Sequence, residues 1–178
     1  YFGASFVVGN IGNPYTTVAL DTDEKSISVA EVSSFQLETV ETFKPHVSAI
    51  LNITPDHLNR HHTMENYILA KEAVAKNQTK DDYSILYYDD ETVRVLKDKV
   101  QGTPVFFSRI TVLEEGAYIE DGNIVFSFNG KKEIILPASE VAIKGSHNLE
   151  NALAAVLLTM LVGVDKESVK QALKTFSG

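Results

Sequence analysis

The chain has 178 residues, a formal net charge of −8 and no cysteine. That length is enough for one domain with its own hydrophobic core. The lack of cysteine excludes disulfides, thiolate metal sites and a cysteine nucleophile, and it fits a reducing cytoplasm. The acidic balance argues against nucleic-acid partners, and the longest apolar stretch, residues 152–164, is too short and too interrupted for membrane insertion.

Strands and helices are predicted to alternate over the first two thirds of the chain. Apolar or β-branched runs predict strands at residues 6–8, 26–32, 47–53, 83–88 and 105–108. Helical patterns lie between them, at residues 35–43, 64–77 and 91–99. Because residues 47–53 are almost continuously apolar, we expect a strand buried on both faces, as in a parallel sheet. The order predicts an α/β fold, with a mostly parallel sheet flanked by helices.

Hairpin signals follow in the last third of the chain. Asp121-Gly122 and Asn129-Gly130 each lie between alternating apolar segments, which is typical of tight β-hairpins. They predict a small antiparallel β subdomain attached to the α/β core. Two helices are predicted after it, at residues 147–161 and 166–176, the second capped by Asp165.

Polar residues stand where two of the predicted strands end. Glu31 closes an otherwise apolar strand, and His57 follows Pro55-Asp56 after the most buried strand. Ligands of open α/β sheets bind at the carboxyl ends of the strands. Glu31 is therefore either a Mg²⁺ ligand or a carboxylate that points into water. His57 is either a metal ligand or proton carrier, or a plain loop residue.

Three further residues break the pattern of their predicted helices. Ser33 and Gln36 have the spacing of a capping box, and the same helix start could also bind a substrate anion. Lys71 shares a mostly apolar helical stripe with Tyr67. It is either a snorkelling lysine, with only its stem buried, or a lysine that reaches a polar site beneath the helix.

Asn148 and Asn151 lie three residues apart at the start of the long predicted helix, so they share a face. Amide side chains can bond a purine edge, and helix N-termini favour anions. The alternative interpretation is helix capping by Asn148 and surface exposure of Asn151.

Five segments together resemble a known family. They are VGNIG (residues 8–12), VAEVSSFQLE (29–38), LNITPDHL (51–58), YILAK (67–71) and GSHNLENA (145–152). In this order they resemble the central domain of the Mur ligases, whose fold is like that of P-loop NTPases. The SSFQLE segment resembles the D-glutamate-adding branch most specifically, since other branches differ after the acidic residue.

The resemblance implies an ATP-dependent acid–amino-acid ligase of peptidoglycan synthesis in the bacterial cytoplasm. In that reaction, the carboxylate of UDP-N-acetylmuramoyl-L-alanine takes the γ-phosphoryl group of ATP. The amine of D-glutamate then attacks the acyl phosphate, for which phosphate is the leaving group. Mg²⁺ neutralises charge on the transferring phosphoryl group. The implied cofactors are ATP and Mg²⁺, and the implied partners are the two substrates.

The resemblance also implies roles for eight residues. It assigns Glu31, His57 and carbamylated Lys71 to catalysis and metal binding, with Glu31 at the phosphate-bound Mg²⁺ and His57 at a second Mg²⁺ close to the acyl phosphate. It assigns Asn10, Ser33 and Gln36 to the muramoyl substrate, and Asn148 and Asn151 to the nucleotide. Carbamylation turns a lysine cation into an anionic oxygen ligand, which would explain a lysine directed at a metal site.

The family's phosphate loop, Gly-x-x-x-x-Gly-Lys-Ser/Thr, is the main departure. The chain has one Gly-Lys pair, Gly130-Lys131, and it lies in a predicted hairpin turn, where it cannot serve. We therefore expect residues 1–178 to be a central domain cut at both ends, at Tyr1-Phe2 and after residue 178. Without the phosphate loop and the N- and C-terminal domains, we expect it to be inactive as a ligase. The alternatives are another ligase of the superfamily, such as a folylpolyglutamate synthetase, or a non-catalytic binding module.

Overall fold

The computed structural model describes residues 3–178, so the expected cut at Tyr1 and Phe2 lies outside the described part. The eight strands are β1 (Ser5–Gly9), β2 (Ile27–Glu31), β3 (Val47–Ile50), β4 (Tyr83–Tyr87), β5 (Thr103–Ser108), β6 (Gly116–Glu120), β7 (Asn123–Phe128) and β8 (Lys131–Pro137). The α-helices are α1 (Ser34–Leu37), α2 (Leu58–His61), α3 (Met64–Glu72), α4 (Glu91–Arg94), α5 (Ser146–Met160) and α6 (Lys166–Thr175). Short 3-10 turns lie at Tyr15–Thr17, Ala73–Ala75, Val95–Asp98 and Ala138–Glu140.

A six-stranded sheet in the order β3-β4-β5-β6-β7-β8 forms the centre of the fold. The strands from β3 to β6 are parallel, and β7 and β8 are antiparallel to their neighbours. The predicted mostly parallel sheet with attached hairpins is confirmed. The hairpin strands continue the sheet directly, because β6 pairs with β5 through Phe107↔Ala117 and Ser108↔Tyr118.

Helices cover both faces of this sheet. Ile85 of β4 belongs to a core cluster with α5 and α6, which includes the fully buried Leu153 and Leu157. The next residue of β4, Leu86, belongs to a second cluster on the opposite face, with residues of α3 and α4. Successive side chains of a strand point to opposite faces, so an uninterrupted apolar strand satisfies both cores.

The strands β1 and β2 form a separate two-stranded parallel sheet, with Val7 opposite Val29 and Gly9 opposite Glu31. Val8 is buried, whereas Val7 is 76% exposed and Val29 is 55% exposed. This differs from the single parallel sheet that the strand order predicts, since the pairing partner of a strand depends on distant segments rather than on its own pattern.

Local signals account for most turns and helix ends. Asp121 and Gly122 have φ of 48° and 75°, and Asn129 and Gly130 have 51° and 73°, as a type I′ hairpin turn requires. The carboxylate of Asp165 accepts a hydrogen bond from the Ser168 backbone N–H and caps α6, as predicted.

Three predicted helices are shorter than their patterns indicate. The first, α1, is a single turn, α3 ends at Glu72 before a 3-10 turn, and α4 continues as another 3-10 turn after Arg94. In addition, α2 lies between the predicted strand at residues 47–53 and the predicted helix at residues 64–77, where no helix is predicted. Within residues 3–178, no helix combines the length and the apolar character needed to cross a bilayer.

Candidate active site

A polar corner is formed by α1, α2, α3 and the loop before α2. We call it the α1–α3 corner and define it as residues 33–38 and 56–71. It contains four of the eight predicted site residues, namely Ser33, Gln36, His57 and Lys71. The two segments meet because α1 packs on α3 and α2 on α3.

The predicted capping box at the start of α1 is confirmed. The backbone N–H of Ser33 donates to Oε1 of Gln36 at 2.9 Å, and the backbone N–H of Gln36 donates to Oγ of Ser33 at 3.4 Å. These bonds satisfy free N–H groups at the helix start. The Gln36 side chain is exposed, and its Nε2 makes no hydrogen bond within residues 3–178. Its amide group therefore retains two donors for a ligand.

His57 lies directly before α2 in a left-handed backbone conformation, with φ of 52°. Oδ1 of Asp56 accepts a hydrogen bond from the His57 backbone N–H at 2.8 Å, which stabilises this turn. The ring of His57 is half-exposed, and its centroid lies 4.9 Å from that of Phe35 in α1. Loop strain of this kind is often found at functional sites.

Lys71 lies in the last turn of α3 and is half-buried. Its Nζ lies 5.1 Å from the ring centroid of Tyr67, one helical turn earlier, as in a cation–π contact. In the described part of the chain, Nζ of Lys71 forms no ion pair with a carboxylate. The ammonium group is thus held at the corner without an anion to neutralise it.

His61 is the residue of the corner that sequence reasoning missed. Its ring is 3% exposed, with Nε2 2.9 Å from Oγ of the buried Ser34 and Nδ1 3.3 Å from Oε1 of Glu38. The sequence shows only two neighbouring histidines in a polar stretch, which does not distinguish a buried ring from an exposed one.

Glu38 connects α1 to α2 by charge. Its Oε2 accepts a hydrogen bond from Nη2 of Arg60 at 2.7 Å. This hydrogen bond and the charge of Arg60 hold the pKa of Glu38 below its usual value, with a smaller contribution from His61. The carboxylate therefore stays anionic opposite His61 at neutral pH.

Glu31 and Asn10 lie at the carboxyl ends of β2 and β1. The backbone N–H of Asn10 donates to the backbone oxygen of Glu31 at 2.8 Å, so the two exposed side chains leave the same end of this small sheet. Glu31 is two residues before Ser33, which brings it next to the corner along the chain. No hydrogen bond or ion pair among residues 3–178 joins its carboxylate to His57 or Lys71, and no three His, Asp or Glu side chains there cluster as metal ligands do.

Asn148 and Asn151 belong to a different region, at the start of α5. Next to them is a pocket of about 260 Å³, lined by Arg109, Lys144, Gly145 and Leu149, among others. Nδ2 of Asn148 donates to the backbone oxygen of Lys144 at 2.7 Å, which ties the helix start to the preceding loop. The Asn151 side chain is exposed.

A charged network borders this pocket at the ends of β4 and β5. Nε of Arg109 donates to Oε1 of Glu150 at 3.1 Å, and the Arg109 backbone N–H donates to Oδ2 of Asp89 at 2.8 Å. Burial and the neighbouring Glu150 carboxylate raise the pKa of Tyr87. Arg109 is therefore fixed at the mouth of the pocket, and sequence reasoning did not single it out.

Comparison with known proteins decides the family. A family model described as the Mur ligase middle domain matches residues 7–159. The chain belongs to the Mur ligase middle domain family. The resemblance inferred from the five sequence segments is thereby confirmed.

The chain also matches curated Mur ligases along its whole length. It is 47% identical over 178 residues to UDP-N-acetylmuramoylalanine--D-glutamate ligase of Lachnoclostridium phytofermentans. The match covers 100% of this chain and 39% of that protein. It is 46% identical over 174 residues to the ligase of the same name from Clostridioides difficile, covering 98% of this chain and 38% of that protein. The chain thus spans well under half the length of these relatives.

Solved Mur ligases share the fold of this chain. MurF from Acinetobacter baumannii has a TM-score of 0.66 at 15% identity, over 99% of this chain and 46% of that one. MurF from Thermotoga maritima, solved in complex with ADP, has a TM-score of 0.59 at 15% identity. That match covers 99% of this chain and 49% of the MurF chain. At this identity, the likeness supports the fold alone.

Proposed function

We propose that the chain is the central domain of a longer ATP-dependent ligase. The ligase joins D-glutamate to UDP-N-acetylmuramoyl-L-alanine in bacterial peptidoglycan synthesis, and we expect it to work in the cytoplasm. The observation that carries this proposal is the 47% identity, over all 178 residues, to a ligase named for this reaction. The SSFQLE segment, which forms α1 and its two capping residues, supports the same branch of the family.

His57 of the corner and the neighbouring Glu31 are suited to open magnesium sites. Mg²⁺ bound with nucleotide phosphates needs one or two protein ligands, because phosphate oxygens and waters complete its shell. Glu31 offers an exposed carboxylate at a strand end, and His57 offers a half-exposed ring. When bound, Mg²⁺ would neutralise charge on the transferring phosphoryl group. Glu31 would hold the Mg²⁺ that is bound to the nucleotide phosphates, and His57 would hold a second Mg²⁺ close to the acyl phosphate.

Lys71 would act in one of two charge states. As an ammonium, it would attract the phosphate or the carboxylate substrate to the corner. As a carbamate, formed when the neutral amine adds to CO₂ and releases a proton, it would supply oxygen ligands to Mg²⁺. The lack of a carboxylate partner for Nζ within residues 3–178 and its half-burial fit both states. We favour the carbamate because the family resemblance implies it.

The substrate would lie between the helix start and the strand ends. Ser33 and Gln36 at the start of α1, and Asn10 at the end of β1, would contact the muramoyl substrate. Gln36 retains two free amide donors, and Asn10 has an exposed side chain. Such donors orient a carboxylate for attack on a phosphoryl group without changing its protonation.

The nucleotide would bind at the start of α5. The pocket of about 260 Å³ beside Asn148 has Arg109 and Lys144 at its wall, which suits an anionic ligand with a planar base. One related structure contains ADP, which supports a nucleotide ligand for the family. Asn148 would orient the loop as well as the ligand, since its amide already bonds to Lys144. Asn151, exposed on the same helix, would contact the nucleotide.

A coupled assay on the full-length ligase tests the reaction. Phosphate release from ATP is measured with UDP-N-acetylmuramoyl-L-alanine and, in turn, D-glutamate, L-glutamate, L-alanine or diaminopimelate. We expect release only with D-glutamate. Release with another amino acid would assign a different branch of the family, and glutamate addition to a folate would assign the folylpolyglutamate alternative. The absence of amino-acid-dependent release from an intact, folded enzyme would favour a non-catalytic module.

A further inference from the structure

The buried ring of His61 contacts both segments of the α1–α3 corner. Nε2 lies 2.9 Å from Oγ of Ser34, and Nδ1 lies 3.3 Å from Oε1 of Glu38. A buried polar ring is costly unless its nitrogens find partners. An Nδ1–H that faces the Glu38 carboxylate leaves Nε2 to accept the Ser34 hydroxyl proton. One orientation of the ring is therefore strongly preferred.

The His61 ring packs against two aromatic rings. The Phe35 ring is nearly parallel to it, at 5.6 Å and 11°, and the Tyr67 ring is tilted, at 5.2 Å and 41°. Phe35 in turn contacts the ring of His57 at 4.9 Å, and Tyr67 carries Nζ of Lys71 at 5.1 Å. His61 is thus the central member of a continuous series of contacts from His57 to Lys71.

We propose that His61 is a positioning residue that sets the distance between His57 and Lys71 and their orientation to the start of α1. This inference rests on the proposed function. His61 itself is buried and would not touch the substrates. Its effect would be indirect, since a ring fixed by two polar contacts restricts the rotamers of Phe35 and Tyr67.

The proposal predicts an effect on turnover that is separate from nucleotide binding. Misplacement of reacting groups by about 1 Å can cost on the order of 100-fold in rate. The pocket beside Asn148 is built from other elements, near β5, β8 and α5. Loosening of the corner should therefore lower kcat while leaving the KM for ATP almost unchanged.

The first variant is His61→Phe in the full-length ligase, which keeps an aromatic ring and removes both nitrogens. We expect kcat for the D-glutamate reaction to fall by about tenfold or more, with the KM for ATP within about twofold of wild type. The second variant, Ser34→Ala, leaves the histidine ring in place and removes its hydroxyl partner. It should also lower kcat, and it tests the proposal if His61→Phe does not fold.

Two further variants separate positioning from stability. Leu157→Ala opens a cavity in the core under α5, so it should lower the Tm while leaving kcat within about twofold. His61→Gln restores a polar atom near Ser34 and should recover part of the kcat that His61→Phe loses. The inference is overturned if His61→Phe lowers kcat no more than Leu157→Ala, or if the KM for ATP rises as much as kcat falls.

A spectroscopic measurement does not depend on which substrate is used. In the full-length protein with ¹³C-labelled histidine, the ring signal of His57 should be single in wild type and should broaden or split in Ser34→Ala. If the His57 signal is unchanged in both His61→Phe and Ser34→Ala, the inference is overturned, even if the ligase reaction proves to be different. A wild-type enzyme that ignores D-glutamate, with a changed His57 signal, refutes only the proposed substrate.

Discussion

Glu31, next to the corner, and Lys71, within it, are predicted site residues whose charges no opposite charge neutralises within residues 3–178. By contrast, Arg60 and Glu38 form an ion pair at 2.7 Å, so each neutralises the charge of the other. Charges left without partners at strand and helix ends are available to a ligand. At the residue scale, the site is therefore best tested through these two residues.

We expect Glu31→Gln to abolish most of the ligase activity of the full-length enzyme. The amide keeps the size of the side chain but cannot neutralise a metal ion, so kcat should fall by at least about 100-fold with little change in Tm. The measurement is D-glutamate-dependent phosphate release at saturating Mg²⁺. Glu24→Gln, a matched change of an exposed carboxylate before β2, should retain activity. Equal activity of Glu31→Gln and wild type would remove Glu31 from the metal site.

Asp82 should make stability depend on pH at the acid end. Burial alone would raise the pKa of its carboxyl group, but hydrogen bonds from Lys44, Thr79 and His46 outweigh burial and lower the pKa. A lowered pKa in the folded state stabilises the protein above the unfolded pKa of about 3.9, and this stabilisation is lost as the pH falls through the folded value.

The variant Asp82→Asn should therefore lower the free energy of unfolding by about 2–4 kcal/mol at pH 7. The difference from wild type should be constant above about pH 5 and should shrink as the pH falls below about 4. Chemical denaturation at several pH values measures it. Asp81→Asn, at the exposed neighbouring position, serves as the control and should change stability by less than about 0.5 kcal/mol. If the difference in unfolding free energy between Asp82→Asn and wild type does not change with pH, the lowered pKa of Asp82 in the folded state is contradicted.

At the scale of elements, hairpin turns were more predictable than short helices. The Asp-Gly and Asn-Gly turns depend on a few local φ values, whereas α2 is one turn held by tertiary contacts. In α2, Nη2 of Arg60 donates a hydrogen bond at 2.7 Å to Oε2 of Glu38, which lies 22 residues earlier in the chain. Single helical turns are not stable alone. The polar sequence of α2 therefore carried no signal for a helix.

Two glycines with positive φ allow an element-scale prediction. Gly122 has φ of 75° and open space where a Cβ would lie, whereas Gly116 has φ of 135° and lies against the backbone of β5. Gly122→Ala should cost about 1 kcal/mol through backbone strain alone. Gly116→Ala should cost several times more, because the added Cβ would overlap the Phe106 backbone oxygen. Denaturation of the two variants measures the difference, and equal losses would argue against the β5–β6 pairing.

At the scale of the whole molecule, the six-stranded sheet and the β1–β2 pair differ in protection. The inner strands β4 and β5 are covered on both faces, and Ile85, Leu86 and Phe107 are fully buried. The pair β1–β2 has only two strands and exposes Val7 and Val29. Isolated two-stranded sheets are at best marginally stable in water.

We expect amide hydrogen exchange of the 178-residue chain to reflect this difference. Amides of β1 and β2 should exchange through local opening, as those of loops and frayed ends do. The free energy of this opening should be roughly several kcal/mol lower than the global free energy of unfolding. Amides of β4 and β5 should require global unfolding. Mass spectrometry of exchanged peptides measures both in one sample. Similar protection of the two regions would mean that β1–β2 is integrated into the main core.

The sequence by itself was enough for the order of the strands and of the helices other than α2, the two hairpin turns, the Ser33–Gln36 capping box and the family. These features depend on residue periodicity and on the sterics of a few adjacent residues, so they are encoded locally. The tertiary structure alone decided that His61 is buried against Phe35 and Tyr67, and that β6–β8 extend the mostly parallel sheet. It also decided that, within residues 3–178, β1 and β2 pair with each other apart from the six-stranded sheet. Each of these depends on segments distant in sequence meeting in space, and no local pattern determines such a meeting.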